Sequence, residues 1–207
     1  MSVENPLAEK LSKIRRDLDP PYSGQLIGDQ VIVFDHEQGS SLYAKGFYGK
    51  PIGIKKPDPN MAFDRELQLD MIEAVYLAHK DWLVVHNATS GETIQPVELD
   101  LIAADRFDTF REKYLVYEDL RAKNYIVRPG LKFGADFAVY RQGPGLDHSL
   151  FVVLVLEREN QISAMDMVRA GRLATSVKKR FVIASLSTGA GAISVKINYY
   201  VFKWYKP

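Results

Sequence analysis

Two side chains that could transfer protons stand at the two ends of a short polar loop. Tyr140 ends a predicted strand at 133–140, and His148 directly precedes the apolar run at 149–157. The loop between them reads Arg141-Gln142-Gly143-Pro144-Gly145-Leu146-Asp147. Loops at the ends of strands commonly carry functional groups. The phenol and the imidazole are therefore predicted to approach each other across the base of this loop, as a candidate acid–base pair.

A basic stripe follows farther along the chain. Ser163 and Asp166 have the spacing of a capping box, with Asp in place of Glu, and predict a helix that runs to about Val177. In that helix Arg169, Arg172, Ser176 and Lys179 would fall at positions i, i+3, i+7 and i+10 and form one stripe. A solvated basic face is the usual explanation. Because an apolar strand follows at once, the helix is expected to pack on a sheet, and the stripe could then face the same edge as the Tyr140–His148 pair.

The other three histidines are expected to have no catalytic role. His79 shares the apolar face of a predicted helix and is expected to lie in the core, while His36 and His86 are placed in a turn and at a strand end, in solvent. The sequence has no HExxH pattern or comparable set of metal ligands. Neither a metal site nor another cofactor is predicted.

Local patterns predict that these residues belong to the second of two units. The first unit, residues 1–106, is expected to contain a short N-terminal helix, a hairpin, a loop, two helices and a strand. The first helix is expected within residues 1–20, from the pattern of Leu7, Leu11 and Ile14. The other ranges are 30–35 and 41–44 for the hairpin strands, 45–60 for the loop, 64–80 for the next helix, 82–86 for the strand, and from Pro96 through about Ala104 for the last helix.

The second unit, residues 107–207, is expected to alternate strands with two helices. The predicted helices are 107–123 and the one starting at Ser163, and the predicted strands are 125–128, 133–140, 149–157, 180–186 and 192–203. The fold class that follows is α+β, with two small mixed α/β domains. In the C-terminal domain a mixed sheet is expected to be flanked by helices.

Composition restricts the class of protein and of partner. The chain has no cysteine, no apolar run long enough to span a membrane and no secretory leader pattern, so a cytoplasmic protein without a membrane partner is expected. Residues 1–110 hold 11 Lys/Arg and 18 Asp/Glu, a net charge of −7, and residues 111–207 hold 16 and 8, a net of +8. A basic half favours a polyanionic partner, although one half balancing the other explains the charges equally well.

A family resemblance rests on long motifs in both halves. The stretch YLVYEDLRAKNYIVRPGLKFGADFAVYRQGPGLDHS, at 114–149, resembles the catalytic domain of archaeal tRNA-splicing endonucleases, whose pattern is YxVYxDLRxxGYxVxxGxKFGADFxxY, a variable loop and HS. VRAGRLATSVKKR at 168–180 is similar to a later family segment. GDQVIVFD at 28–35 and EAVYLAHKDWL at 73–83 extend the resemblance to about residues 24–207. It implies a restriction-endonuclease-like catalytic domain.

The resemblance also implies roles for individual residues. Tyr140 matches the family's general base, His148 its general acid and Lys179 the lysine that stabilises charge. Arg172 matches an arginine that holds a flipped-out base, and Lys196 is a candidate for a second residue of that kind. Lys45 opens a lysine-bearing loop that could add RNA contacts, a solvated loop being the alternative.

The implied reaction is RNA cleavage without a metal. The 2′-OH beside the scissile phosphate attacks, and the products are a 2′,3′-cyclic phosphate and a 5′-OH end. The implied substrate is precursor tRNA with a bulge–helix–bulge at the intron–exon junction. A histidine, with a usual pKa near 6.5, suits the acid. A tyrosine near pKa 10 needs nearby cations to act as a base, and Tyr140 could instead orient the hydroxyl.

One departure from the family bears on assembly. Homotetrameric relatives carry an acidic loop between the last two strands, whereas SLSTGAGA at 185–192 contains no acidic residue. The resemblance therefore implies an α2β2 heterotetramer, in which a second, non-catalytic subunit supplies that loop. Two alternatives stay open, a non-catalytic structural paralogue and a general RNA-binding module.

Overall fold

The computed structural model describes residues 19–58, 62–156, 163–165, 167–168, 171–172, 180–188 and 195–202. The chain divides into two compact units, one ending at Asp108 and the other beginning at Thr109. Each unit combines helices with a mixed sheet, as the predicted α+β class requires. The boundary predicted from the sequence is after residue 106. The residues that predict the N-terminal helix, Leu7, Leu11 and Ile14, lie outside the described residues.

The described part of the first unit is a six-stranded sheet with three helices. In sheet order the strands are β3 (Lys50–Pro51), β4 (Leu67–Leu69), β2 (Gln30–Val33), β1 (Tyr22–Ile27), β5 (Leu83–Asn87) and β6 (Thr93–Ile94). The pair β1–β5 is parallel and the other neighbours are antiparallel. The helices are α1 (His36–Gly46), α2 (Met71–His79) and α3 (Pro96–Arg106).

The predicted hairpin across residues 30–44 is wrong, because the second half of that segment is helix α1. The Asp35 carboxylate caps the helix by accepting from the backbone N–H groups of Glu37 and Gln38, each at 2.9 Å. The buried face consists largely of small residues, so it leaves no apolar stripe in the sequence. Its serines are paired: Ser40 Oγ accepts from the Phe63 N–H, and Ser41 Oγ lies 3.0 Å from the Tyr22 hydroxyl.

The helix predicted to start at residue 64 starts instead at Met71. Residues 67–69 form β4, and Asp70 and Glu73 make a reciprocal capping box that fixes the helix start. The expectation of a core His79 is also wrong. Its side chain is about one-third exposed (33%), and its Nε2 lies 2.6 Å from Asp100 Oδ2 on α3.

The second unit contains helix α4 (Phe110–Ala122) and a five-stranded sheet. In sheet order the strands are β11 (Val195–Phe202), β10 (Arg180–Thr188), β9 (Phe151–Val155), β8 (Phe137–Tyr140) and β7 (Ile126–Pro129). Only β9–β10 is parallel among these pairs. A parallel pair needs a crossover connection, and the described residues 164–165, 167–168 and 171–172, which lie within it, are helical.

The motif KFGADF at 132–137 holds the sheet and helix α4 together. Asp136 pairs with Lys113 of α4 at 3.0 Å, and its other carboxylate oxygen accepts from the Val155 N–H at 2.8 Å. Two residues before the motif, the Gly130 backbone lies so close to that of Phe137 that a Cβ on Gly130 would stand 2.7 Å from it. This motif therefore sets where β8 begins, and through β8 it sets the position of Tyr140.

Candidate active site

Tyr140 is the last residue of β8 and is half-buried. It lies opposite Ile126 of β7 in the antiparallel register. The ring packs against the core cluster formed by Ala135, Ala138, Val152, Phe181 and Ile183. This packing holds the ring on one face of the sheet, so that the hydroxyl lies where the strand gives way to the loop.

The loop that follows is organised by the carboxylate of Asp147. One of its oxygens accepts from the backbone N–H groups of Arg141 at 3.1 Å and Gln142 at 3.0 Å, and the other accepts from Gly143 at 3.0 Å. In return, the N–H groups of Leu146 and Asp147 both donate to the Gly143 carbonyl. Gly143 and Gly145 have φ of 126° and 91°, values that favour glycine.

His148 is exposed and comes directly after this ring of hydrogen bonds. The next residue, Ser149, is buried. The Leu150 N–H then donates to the Val139 carbonyl at 2.7 Å and resumes the β8–β9 pairing. Tyr140 and His148 thus stand on the two sides of this loop. Two sets of hydrogen bonds join its ends, those of the Asp147 carboxylate and that of the Leu150 N–H.

Several neighbours act on the Tyr140 hydroxyl. Burial raises its pKa above the usual value for tyrosine and is the largest effect. The positive charge of Arg128 lowers the pKa, the negative charge of Asp147 raises it, and a hydrogen bond with Ser149 lowers it. On β7, Arg128 lies opposite Ala138 of β8, and it is therefore a diagonal neighbour of Tyr140.

The other predicted site residues have no described contact with this loop. Lys179 lies outside the described residues, as do the stripe residues Arg169 and Ser176. Arg172 is exposed in the helical crossover. Lys196 is exposed on β11 opposite Ser187. Lys45 lies in the first unit, in α1 rather than in a loop, where its Nζ is 3.3 Å from Asp19 Oδ1.

Two groups that act on Tyr140 were not predicted from the sequence, namely Asp147 and Arg128. An aspartate that ends a glycine-rich loop is a signal for backbone capping, but which N–H groups it binds depends on the turn geometry. The proximity of Arg128 to Tyr140 depends on the register between β7 and β8, which no local sequence pattern shows. Within the described part of the chain, no group of three or more His, Asp or Glu residues could hold a metal ion, and no helix is both long and apolar enough to cross a membrane.

Comparison with known proteins gives a consistent family for both units. Residues 22–99 match the model of the tRNA intron endonuclease N-terminal domain, and residues 110–194 match that of the tRNA intron endonuclease catalytic C-terminal domain. The chain belongs to the tRNA intron endonuclease family. This confirms the resemblance inferred from the motifs at 114–149 and 168–180.

Whole-length relatives of the family agree with these matches. A tRNA-splicing endonuclease of Sulfurisphaera tokodaii is 39% identical over 88% of this chain and 98% of its own length. Those of Hyperthermus butylicus and Saccharolobus solfataricus are each 41% identical, over 88% and 87% of this chain and 97% of their own lengths. Membership in the tRNA intron endonuclease family therefore spans both units, and an archaeal origin fits these relatives.

Proposed function

We propose that this chain is the catalytic subunit of a tRNA-splicing endonuclease. It cleaves precursor tRNA at bulge–helix–bulge junctions, without a metal, by attack of a 2′-OH on the adjacent phosphate. The observation that carries the proposal is the pair Tyr140 and His148, which stands across a loop closed by hydrogen bonds within the segment that matches the family's catalytic domain. A non-catalytic relative has no need to keep both proton-transfer groups.

Each group has a distinct task in this reaction. The 2′-oxygen loses its proton and bonds to phosphorus, while the bond from phosphorus to the 5′-oxygen breaks. His148, exposed at the loop, gives a proton to the departing 5′-oxygen. Lys179 stabilises the added negative charge on the phosphorane. The products are a 2′,3′-cyclic phosphate and a 5′-OH end.

Tyr140 faces the attacking 2′-OH in this scheme, as a base or as an orienting group. Burial raises the pKa of its hydroxyl, so the phenolate is scarce at neutral pH. The charge of Arg128 lowers the pKa of Tyr140, and the ammonium of Lys179 would lower it further when RNA is bound. As a phenolate, Tyr140 would take the proton of the 2′-OH. As a phenol, it would orient the 2′-OH by accepting its hydrogen bond, and the proton would pass to solvent water.

Three basic residues are proposed to contact RNA away from the reacting atoms. The exposed guanidinium of Arg172 suits stacking on an unpaired base of the bulge. Lys196 is proposed as a second contact of this kind, and Lys45 as an additional contact from the first unit. An exchange of the Lys45–Asp19 ion pair for an RNA phosphate would cost little, because Asp19 is largely exposed.

A second subunit is proposed to complete the enzyme. Residues 185–192, which comprise the end of β10 and the segment that follows it, contain no Asp or Glu and cannot supply an acidic docking loop. A non-catalytic partner that carries this loop would give an α2β2 assembly. Native mass measurement tests this point directly, and a stable homotetramer of this chain alone would contradict it.

The activity is tested with an intron-containing precursor tRNA in EDTA, with and without a candidate partner subunit. We expect cleavage at both junctions when the partner is present. The 5′ fragment should end in a cyclic phosphate that resists periodate, and the 3′ fragment should be phosphorylated by a kinase without prior phosphatase treatment. RNA binding without cleavage under both conditions would support the non-catalytic alternatives instead.

A further inference from the structure

We propose that Asp147 is a positioning residue for the cleavage reaction, which sets the spacing of Tyr140 and His148 through the loop backbone. The carboxylate binds three successive N–H groups, those of Arg141, Gln142 and Gly143, at 3.0–3.1 Å. Arg141 is bonded covalently to Tyr140, and Asp147 to His148. We call these three hydrogen bonds the Asp147 staple. The staple joins the residue after one proton-transfer group to the residue before the other.

The three-way contact requires a carboxylate. Both oxygens are engaged, one by two N–H groups and the other by the third. Hydrogen bonds to a charged acceptor are roughly twice as strong as neutral ones. An asparagine at this position has one acceptor oxygen, and its NH2 group would face a backbone donor. Substitution by Asn therefore removes part of the staple while changing the side-chain volume very little.

The staple is not needed to hold the strands. The β8–β9 ladder is closed independently by the Leu150 N–H to Val139 carbonyl bond and continues along both strands. Loss of Asp147 should therefore loosen residues 141–148 more than it destabilises the fold. In a site that needs its groups held within about 0.5 Å, such loosening lowers the rate of the chemical step.

The charge of Asp147 has a second consequence at Tyr140. It raises the pKa of the phenol, whereas Arg128 on β7 and the hydrogen bond with Ser149 lower it. The staple thus opposes the formation of a phenolate. The three backbone N–H groups that surround the carboxylate reduce this effect, because their dipoles point their positive ends at its charge.

The proposal rests on the proposed function, and the test separates the two. Asp147→Asn and Asp147→Ala are compared with the matched control Asp29→Ala, which removes an exposed turn aspartate from the first unit. Single-turnover cleavage is measured at saturating precursor tRNA, with the partner subunit present if the wild type needs it. Binding is measured with RNA that carries a 2′-deoxynucleotide at the cleavage position.

We expect the two Asp147 variants to cleave about 10- to 100-fold more slowly. Their RNA affinity should stay within about twofold of wild type, and the midpoint of thermal unfolding should change little. Asp29→Ala should match the wild type in cleavage rate and RNA affinity, with at most a small decrease in the midpoint of thermal unfolding. A wild-type rate in Asp147→Ala, or a rate loss that is fully matched by weaker binding or by unfolding, would overturn the positioning role.

Hydrogen exchange supplies a readout that needs no activity. The amides of residues 141–143 should exchange faster in Asp147→Ala, while those of Val139 and Leu150 should keep wild-type protection. Unchanged exchange at 141–143 would show that no staple exists, even if cleavage were slow. A wild-type chain that protects these amides but never cleaves RNA would contradict the proposed function and leave the staple as a structural feature alone, which overturns its role in catalysis.

Discussion

Two antiparallel connections in this chain perform the same topological task at very different lengths. In the first unit, β1 turns into β2 through two residues, Gly28 and Asp29, with Gly28 at a φ of 56°. In the second unit, β8 reaches β9 through ten residues, 141–150. Chain reversal needs only the shorter solution. The longer loop has Tyr140 directly before it and His148 near its other end.

The polar contacts of the two connections differ in the same way. Asp29 makes an exposed ion pair with Arg106, a contact of low energetic value. Asp147 binds three backbone donors inside its own loop. Elsewhere in the first unit, the carboxylates of Asp35 and Asp70 cap helices. A carboxylate devoted to the shape of a loop, rather than to a helix end, thus marks the candidate site.

The largest expected difference between the two units concerns their histidines. His148→Ala should reduce cleavage of precursor tRNA by about 10²–10⁴-fold, because it removes the proposed general acid. His36→Ala, the matched control, removes the half-exposed first residue of α1 and should leave the rate unchanged. Single-turnover kinetics measures both. Equal cleavage rates for His148→Ala and His36→Ala would contradict the prediction that only the histidine of the second unit is catalytic.

A smaller effect is expected from two aspartates, measured as stability. Asp136→Ala leaves the Val155 N–H without its acceptor and Lys113 without its partner, and should lower the free energy of unfolding by about 1–3 kcal/mol. Asp29→Ala should lower it by less than about 1 kcal/mol, since the lost pair is exposed. Urea denaturation gives both values. A larger loss of unfolding free energy in Asp29→Ala than in Asp136→Ala would contradict this prediction.

The alkaline stability of the second unit tests a third polar contact. The Tyr199 hydroxyl donates to Asp119, and burial, followed by this bond and the charge of Asp119, raises the tyrosine pKa above its usual 10.0. Below pH 10 the folded and unfolded chains both keep this proton. Above it only the unfolded chain releases the proton, so stability falls as the pH rises.

Tyr199→Phe removes the hydrogen bond and should cost about 1 kcal/mol at pH 7. The same variant should lose less stability than the wild type between pH 9.5 and 11. Urea midpoints at several pH values measure both effects. A variant that follows the wild-type slope above pH 10 would show that Tyr199 keeps a normal pKa in the folded chain.

The smallest expected effect concerns the titration of Tyr140 itself. Arg128→Gln removes the cation that lowers its pKa, so the pKa should rise further above the usual value. NMR of tyrosines labelled at the ring carbon that bears the hydroxyl follows this titration, with Tyr140→Phe to assign the signal. A downward shift in Arg128→Gln would mean that Arg128 does not face the phenol.

Much of the fold was predictable because apolar patterns report buried faces. Long runs such as Phe151–Val155 and Arg180–Thr188 gave their strands, and Pro96 correctly marked the start of α3. Helix α1 was missed because its buried face carries Gly39, Ser40 and Ser41, and the hydroxyls of the two serines are paired with distant residues. Such partners lie outside any local sequence window.

The candidate site divides along the same line. The positions of Tyr140 and His148 at the two ends of one loop were predictable, because apolar strands precede and follow that loop. Their catalytic roles stay a prediction from the family motif. The function of Asp147 was not predictable, since it depends on the directions of three backbone N–H groups. Arg128 needed the register of β7 with β8. Residue type indicates the chemistry, whereas the supporting contacts appear only with the backbone.

The role of His148 can be tested most directly with a precursor tRNA whose scissile 5′-oxygen is replaced by sulfur. A thiolate leaves without a proton, so it needs no general acid. We predict that His148→Ala cleaves the sulfur-containing RNA at a rate close to that of the wild type, although it is strongly impaired on the oxygen substrate. Tyr140→Phe should stay slow on both. An equally large loss for His148→Ala on both substrates would contradict the assignment of this loop as the acid–base site.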